Sequence, residues 1–183
     1  MYLNILNFPD DVLAGQKIIT GFDGDNLNKK NKDFFLKIKP GGIILFARNI
    51  KNPEQLKKIN FDIIDFFKTN NLPAPFISID QEGGTVARLK EPEFTELPGI
   101  SEINTPFEAS QHSKKMSEIL KEFYINMNMA PVLDVASLNK NSIMEKRSFP
   151  GTPDKVADLG KTSAQEYIKN NIIPVGKHFP GIG

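Results

Sequence analysis

The stretch Asp80-Gln81-Glu82-Gly83-Gly84-Thr85-Val86-Ala87-Arg88 follows an apolar run, carries two carboxylates, turns at two glycines and returns an arginine. Glycine pairs allow a sharp backbone reversal, and polar groups at loops positioned by a rigid scaffold are where ligands are held. Two readings stay open for it: a ligand loop, or a solvated turn closed by a surface ion pair. A glycosidase pair held ~5 Å apart is not the expected role of Asp80 and Glu82. Residues i and i+2 of one strand lie roughly 6.6 Å apart on one face, so both carboxylates would sit on the same side of a sugar ring. Asp80 is better suited to accepting from two sugar hydroxyls, and Glu82 to fixing the Gly83-Gly84 turn or Arg88. Arg147, within Lys146-Arg147-Ser148-Phe149, offers a planar fork of donors for ligand oxygens, or else is an exposed charge. Lys177-His178 pairs a fixed positive charge with an adjustable donor; His178 is otherwise a satisfied structural histidine. Asp134 is open between contacting a ligand and bracing the chain. The only other histidine, His112, sits in a helical stretch on what reads as an exposed face, so no metal is expected. The G-x-S-x-G elbow of serine hydrolases is absent from the sequence.

These residues sit at the ends of short apolar runs of strand length: Ile18 to Phe22, Gly42 to Ala47, Phe76 to Ile79, Met129 to Val135 and Ile172 to Val175. Segments of helical spacing separate them, at Lys32 to Ile38, Pro53 to Lys68, Pro106 to Asn126 and Pro153 to Asn170. In Pro53 to Lys68, Leu56, Ile59, Ile63, Phe66 and Phe67 recur at steps of three or four, with Lys57, Lys58, Asp62 and Lys68 opposite. Asn52 and Thr105 precede prolines and are expected to cap helices, and Asp154 places a carboxylate in a first turn. Continuous apolar strands alternating with helices predict a parallel sheet covered on both faces. After the first run comes Asp23-Gly24-Asp25-Asn26 rather than a glycine-rich nucleotide turn, which argues against a doubly wound sheet. Polar groups end five strands: Phe22-Asp23, Arg48-Asn49, Asp80-Gln81-Glu82, Asp134 and Lys177-His178. That distribution is the habit of a TIM-type (β/α)₈ barrel, of which residues 1–183 would supply about five βα units as one incomplete domain. The polar stretch Ala136 to Pro150 is long for a βα loop.

The balance of 23 Lys and Arg against 22 Asp and Glu leaves a net charge of +1, with no field to attract nucleic acid or an anionic membrane. The absence of cysteine excludes disulfides and thiolate chemistry. The first residues lack a basic, apolar leader, and no apolar run approaches the ~20 residues that span a bilayer. The expected setting is the cytoplasm, with a small neutral or modestly charged ligand and no cofactor.

Taken together, Gly21-Phe22-Asp23-Gly24, Gly41 to Ile50, Asp80 to Leu89, Ala130-Pro131-Val132-Leu133-Asp134-Val135, Arg147-Ser148-Phe149 and Lys177-His178-Phe179-Pro180-Gly181 resemble, in order, the glycoside hydrolase family 3 β-N-acetylglucosaminidases. The resemblance spans nearly the whole chain. It implies retaining hydrolysis of terminal N-acetylglucosamine from peptidoglycan-derived muropeptides, with Asp80, Arg88, Arg147, Lys177 and His178 as the sugar contacts. It also implies an aspartate-histidine acid/base dyad and an aspartate nucleophile further along than Gly183, so no catalytic residue is expected within this chain. Where the family motif continues with a second histidine, this sequence has Ile182. The competing expectations are a catalytically inactive sugar-binding fragment, and an assembly part that needs a partner chain carrying strands six to eight or self-associates through exposed sheet edges.

Overall fold

The computed structural model describes residues 8–90, 92–136 and 142–182. Among these residues lie five α-helices and five strands, in the order α1 (Asp10–Gly15), β1 (Ile19–Thr20), α2 (Lys29–Ile38), β2 (Gly42–Leu45), α3 (Pro53–Thr69), β3 (Phe76–Ile79), α4 (Pro106–Glu122), β4 (Met127–Asn128), α5 (Pro153–Lys169) and β5 (Ile173–Pro174). The chain divides into two compact units, Met1–Ser78 and Ile79–Gly183.

In the first unit β1 pairs in parallel with β2, Ile19 opposite Gly42 and Thr20 opposite Ile43. The Phe76 amide donates to the Gly41 carbonyl at 2.9 Å, and the Ser78 hydroxyl to the Ile43 carbonyl at 3.0 Å. The core is aromatic: the Phe35 ring lies 5.8 Å from Phe22 and 6.0 Å from Phe67, separations at which edge and tilted rings attract. Leu56, Ile59, Ile63 and Phe67 are the buried face of α3, as their spacing predicts. The Asn52 side chain caps that helix by accepting from the Gln55 amide at 2.8 Å. Asn28 does the same for α2, which therefore starts at Lys29 rather than Lys32.

The second unit is built around α4, α5 and the paired β4 and β5, Met127 opposite Ile173 and Asn128 opposite Pro174. Thr105 and Glu108 close a reciprocal capping box at the start of α4, and Thr152 caps α5. Each long helix ends on a residue turned into the left-handed region, Asn71, Tyr124 and Asn171, which stops propagation. Ile100, Ile103, Ala109, Val132, Met144, Phe149, Val156 and Leu159 form the buried core.

The fourth strand differs from expectation. Paired residues are Met127–Asn128, not Met129 to Val135. Pro131 has no amide hydrogen to give, and the Val175 amide is shared between the carbonyls of Asn128 and Ala130, both at 3.0 Å. The ladder breaks there and resumes as an isolated parallel bridge between Val132 and Lys177. That bridge places Asp134 beside His178, two residues past the last pairing.

Candidate active site

The candidate residues all lie in the second unit, between the end of β3 and the segment after β5. Asp80 follows the last residue of β3, and its carboxylate receives Lys177 Nζ on Oδ1 at 2.8 Å and Arg88 Nη2 on Oδ2 at 3.4 Å. Glu82 is deeper, with its side chain 2% exposed. Its Oε1 and Oε2 accept from Arg147 Nη2 and Nε at 2.9 and 3.0 Å, a two-point fork, and Oε1 also lies 2.5 Å from Lys177 Nζ. Lys177 thus bridges both carboxylates. The Glu82 side chain pairs with Arg147 and Lys177, where the sequence suggested the Gly83-Gly84 turn or Arg88; Arg88 belongs to Asp80. A bidentate arginine-carboxylate pair fixes both charge and plane, which is why the fork orients Arg147 more tightly than a single contact could. The same hydrogen bonds hold the Arg147 guanidinium above its ordinary value, against the opposing effect of burial.

What shapes the 80–89 loop is a set of amides around Gln81, itself 1% exposed. Its side-chain oxygen accepts from the amides of Arg88 at 2.7 Å and Leu89 at 3.0 Å, while its own side-chain amide donates to the Leu89 carbonyl. Asn128 of β4 takes the Gln81 amide on Oδ1 and donates to the Gln81 carbonyl at 2.8 Å. Tyr167, pushed upward by burial, accepts from Asn128 at 3.2 Å. The reversal itself rests on Gly83 and Gly84, both at positive φ, and a Cβ on Gly83 would meet the Pro98 carbonyl at 2.4 Å. His112 braces this turn from α4. Its Nε2 is 3.0 Å from the Pro98 carbonyl, so the ring is half-buried against the loop rather than on the exposed face expected for it. Burial pushes that imidazole below its ordinary value, the carbonyl contact opposing.

His178 follows Lys177 in sequence but its ring is taken by another carboxylate: Nδ1 is 2.6 Å from Asp134 Oδ2. Asp134 also accepts the His178 amide at 2.9 Å and the Ile182 amide at 2.6 Å. Burial alone would raise this carboxyl; the Ile182 amide, the His178 ring and the His178 amide outweigh it and bring it below its ordinary 3.8.

Four of the five candidates, Asp80, Arg88, Arg147 and Lys177, are therefore joined through two carboxylates, and His178 is held next to them by a third. Gln81, Asn128 and Glu82 were not marked as site residues by their types. Gln81 lies between two acids in the loop, which is a signal only in hindsight; Asn128 carries none, since its partner is 47 residues away. Residues 137–141 of the long loop expected before α5 lie outside the described residues. Among the described residues, no group of three or more His, Cys, Asp or Glu side chains is placed to hold a metal ion.

Every carboxylate of the set is matched to a cation or to backbone donors. Residues 10–183 match the family model of the glycosyl hydrolase family 3 N-terminal domain. The chain belongs to glycosyl hydrolase family 3. A family 3 relative, the beta-hexosaminidase of Neisseria meningitidis, is 33% identical over 167 residues, covering 86% of this chain and 45% of that protein. Beta-hexosaminidase A of Pseudoalteromonas piscicida is 32% identical over 150 residues, covering 78% and 25%. Among solved structures, a glycoside hydrolase family 3 beta-N-acetylglucosaminidase from Paenibacillus sp. superposes with a TM-score of 0.88 at 30% identity, over 95% of this chain and 34% of its own. NagZ from Neisseria gonorrhoeae in complex with N-trifluoroacetyl-D-glucosamine superposes with a TM-score of 0.79 at 30% identity, over 91% and 50%. The chain thus spans a quarter to a half of the relatives it matches. Its fold is that of the family 3 N-terminal region, five βα units of an incomplete TIM-type barrel.

Proposed function

We propose that residues 1–183 form one incomplete barrel domain that grips N-acetylglucosamine for a retaining β-N-acetylhexosaminidase, acting on muropeptides in the bacterial cytoplasm. The observation that carries the reading is the cluster of Asp80, Arg88, Arg147 and Lys177, knit through Glu82, with His178 alongside. A sugar ring presents several hydroxyls that both donate and accept. Fixed guanidinium and ammonium donors beside carboxylate acceptors match that pattern while the cluster's own ion pairs keep each group in place. The solved family 3 relative bound to a glucosamine derivative supports the ligand class. Binding is the role assigned to these carboxylates. Their oxygens are occupied by Lys177, Arg88 and Arg147, an arrangement that positions donors for a ligand. Among the described residues no helix is long and apolar enough to cross a membrane.

Self-association belongs to the same proposal. Ile18 just before β1, Ile19 on β1 and Ile173 on β5 are each about two-fifths exposed on the first and last strands of the chain. Unpaired strand edges with apolar side chains are templates for a second copy.

The test is titration of N-acetylglucosamine into the purified 183-residue chain, beside turnover of a chromogenic N-acetylglucosaminide. The proposal expects saturable binding that Asp80→Asn weakens at least tenfold, while glucose without the acetamido group binds less well. Binding without turnover fits the sugar-gripping role and the inactive-fragment alternative for this chain. No binding by a folded chain overturns the assignment.

A further inference from the structure

Asp134 is the one fully enclosed carboxylate beside the cluster, its side chain 0% exposed, and its donors all come from the stretch after β5. Oδ2 takes the His178 amide at 2.9 Å and lies 2.6 Å from His178 Nδ1; Oδ1 takes the Ile182 amide at 2.6 Å. An ionised carboxylate only accepts, so the short contact to Nδ1 requires the proton to be on that nitrogen. Which ring nitrogen carries the proton is set by the bond the other makes. With Nδ1 protonated, Nε2 of the neutral ring is a bare acceptor. Among the described residues Nε2 has no recorded partner, and the ring is 28% exposed.

We propose that Asp134 is a positioning residue of the sugar site: it selects the His178 tautomer with the proton on Nδ1 and anchors residues 178–182 so that Nε2 is presented to a ligand hydroxyl as an acceptor. The ligand half of this rests on the sugar-binding reading above; the tautomer half rests on geometry alone. The arrangement complements the rest of the cluster. Arg88, Arg147 and Lys177 can only donate, and each Asp80 oxygen already takes one cation, so an acceptor at His178 adds to the lone pairs Asp80 has left for hydroxyl donors. It also gives the Ile182 position a role independent of its side chain, since the main-chain amide makes the contact.

The test is a long-range proton-nitrogen correlation spectrum of the imidazoles in the ¹⁵N-labelled 183-residue chain, recorded at mildly alkaline pH. With two histidines in the sequence, the signals lost in His178→Gln assign the ring. The expected result is a pyrrole-type Nδ1 and a pyridine-type Nε2 in the wild type, with the pattern moving toward protonated Nε2 in Asp134→Asn. Added N-acetylglucosamine should shift Nε2 more than Nδ1. A purely bracing role for Asp134 would leave the tautomer pattern of the variant unchanged. A wild-type ring protonated on Nε2 overturns the proposal without recourse to any variant, so misfolding of Asp134→Asn does not protect it. A correct tautomer with no sugar-induced change at Nε2, while other site signals move, overturns the presentation of Nε2. No sugar-induced change anywhere contradicts the sugar-binding reading, and the wild-type spectrum still decides the tautomer.

Discussion

Asp80 and Glu82 are two residues apart and do different work. Glu82 is the more enclosed, with Arg147 and Lys177 as partners that are themselves less than one-fifth exposed. Removing one partner of a buried pair strands the other and costs about 3–5 kcal/mol. Glu82→Gln is therefore expected to lose about that much stability in urea unfolding, more than Asp80→Asn, whose carboxylate is 21% exposed. Sugar affinity should rank the other way, with Asp80→Asn the weaker binder; the reverse order would sink the division of roles. Asp134 carries a pH signature. Its carboxyl is held below its ordinary value in the folded chain, so its contribution is complete above about pH 4 and is lost as pH falls through the folded value. Stability of the wild type should decline with acidification in that range, and Asp134→Asn should show a shallower decline by thermal unfolding from pH 6 to pH 3; an unchanged slope would remove the linkage. At this scale the sequence was partly legible. Carboxylates, an arginine fork and a Lys-His pair at strand ends mark a candidate site by type alone, whereas the choice of Arg147 as the partner of Glu82 spans 65 residues and belongs to the tertiary structure.

Elements were readable where their signals are local. Asn52 and Thr105 cap the helices they precede because a side-chain oxygen needs only the amide three residues on. Thr105→Ala should cost ~1 kcal/mol in denaturant unfolding, and Glu108→Ala, which breaks the other half of the capping box, should also destabilise, without change in sugar affinity. The Gly83-Gly84 turn is less forgiving. Gly83 combines φ of 92° with a Cβ position 2.4 Å from the Pro98 carbonyl, both rigid, so Gly83→Ala is expected to destabilise by about 1–3 kcal/mol and to weaken sugar binding by displacing the Asp80 to Arg88 loop. A folded Gly83→Ala chain with unchanged affinity would separate the turn from the site. The fourth strand was misplaced because apolar residues from Met129 to Val135 satisfy strand composition, while pairing depends on amide hydrogens that Pro131 lacks. His112 was misread for a related reason: helical spacing puts it among polar neighbours, but the 98–99 segment that covers it comes from a loop.

Across the whole molecule, the order of five βα units and their polar strand ends was legible because alternation of buried runs and amphipathic helices is repeated along the chain. The apolar surface it leaves was legible only in outline. Leu133, Val135 and Val156 line an apolar depression of about 590 Å³ beside α5, and Ile173 is 39% exposed on β5. Sedimentation at increasing concentration should show self-association, and Ile173→Lys should shift it toward monomer; a monomer at every concentration would contradict the edge-pairing proposal. The central claim is that the Asp80, Arg88, Arg147, Lys177 and His178 cluster is a sugar grip, and the most direct measurement is a backbone and side-chain chemical-shift map of the chain titrated with N-acetylglucosamine. The account predicts saturable shifts concentrated at residues 80–89, 147 and 177–182; shifts centred elsewhere, or none in a folded chain, would contradict it.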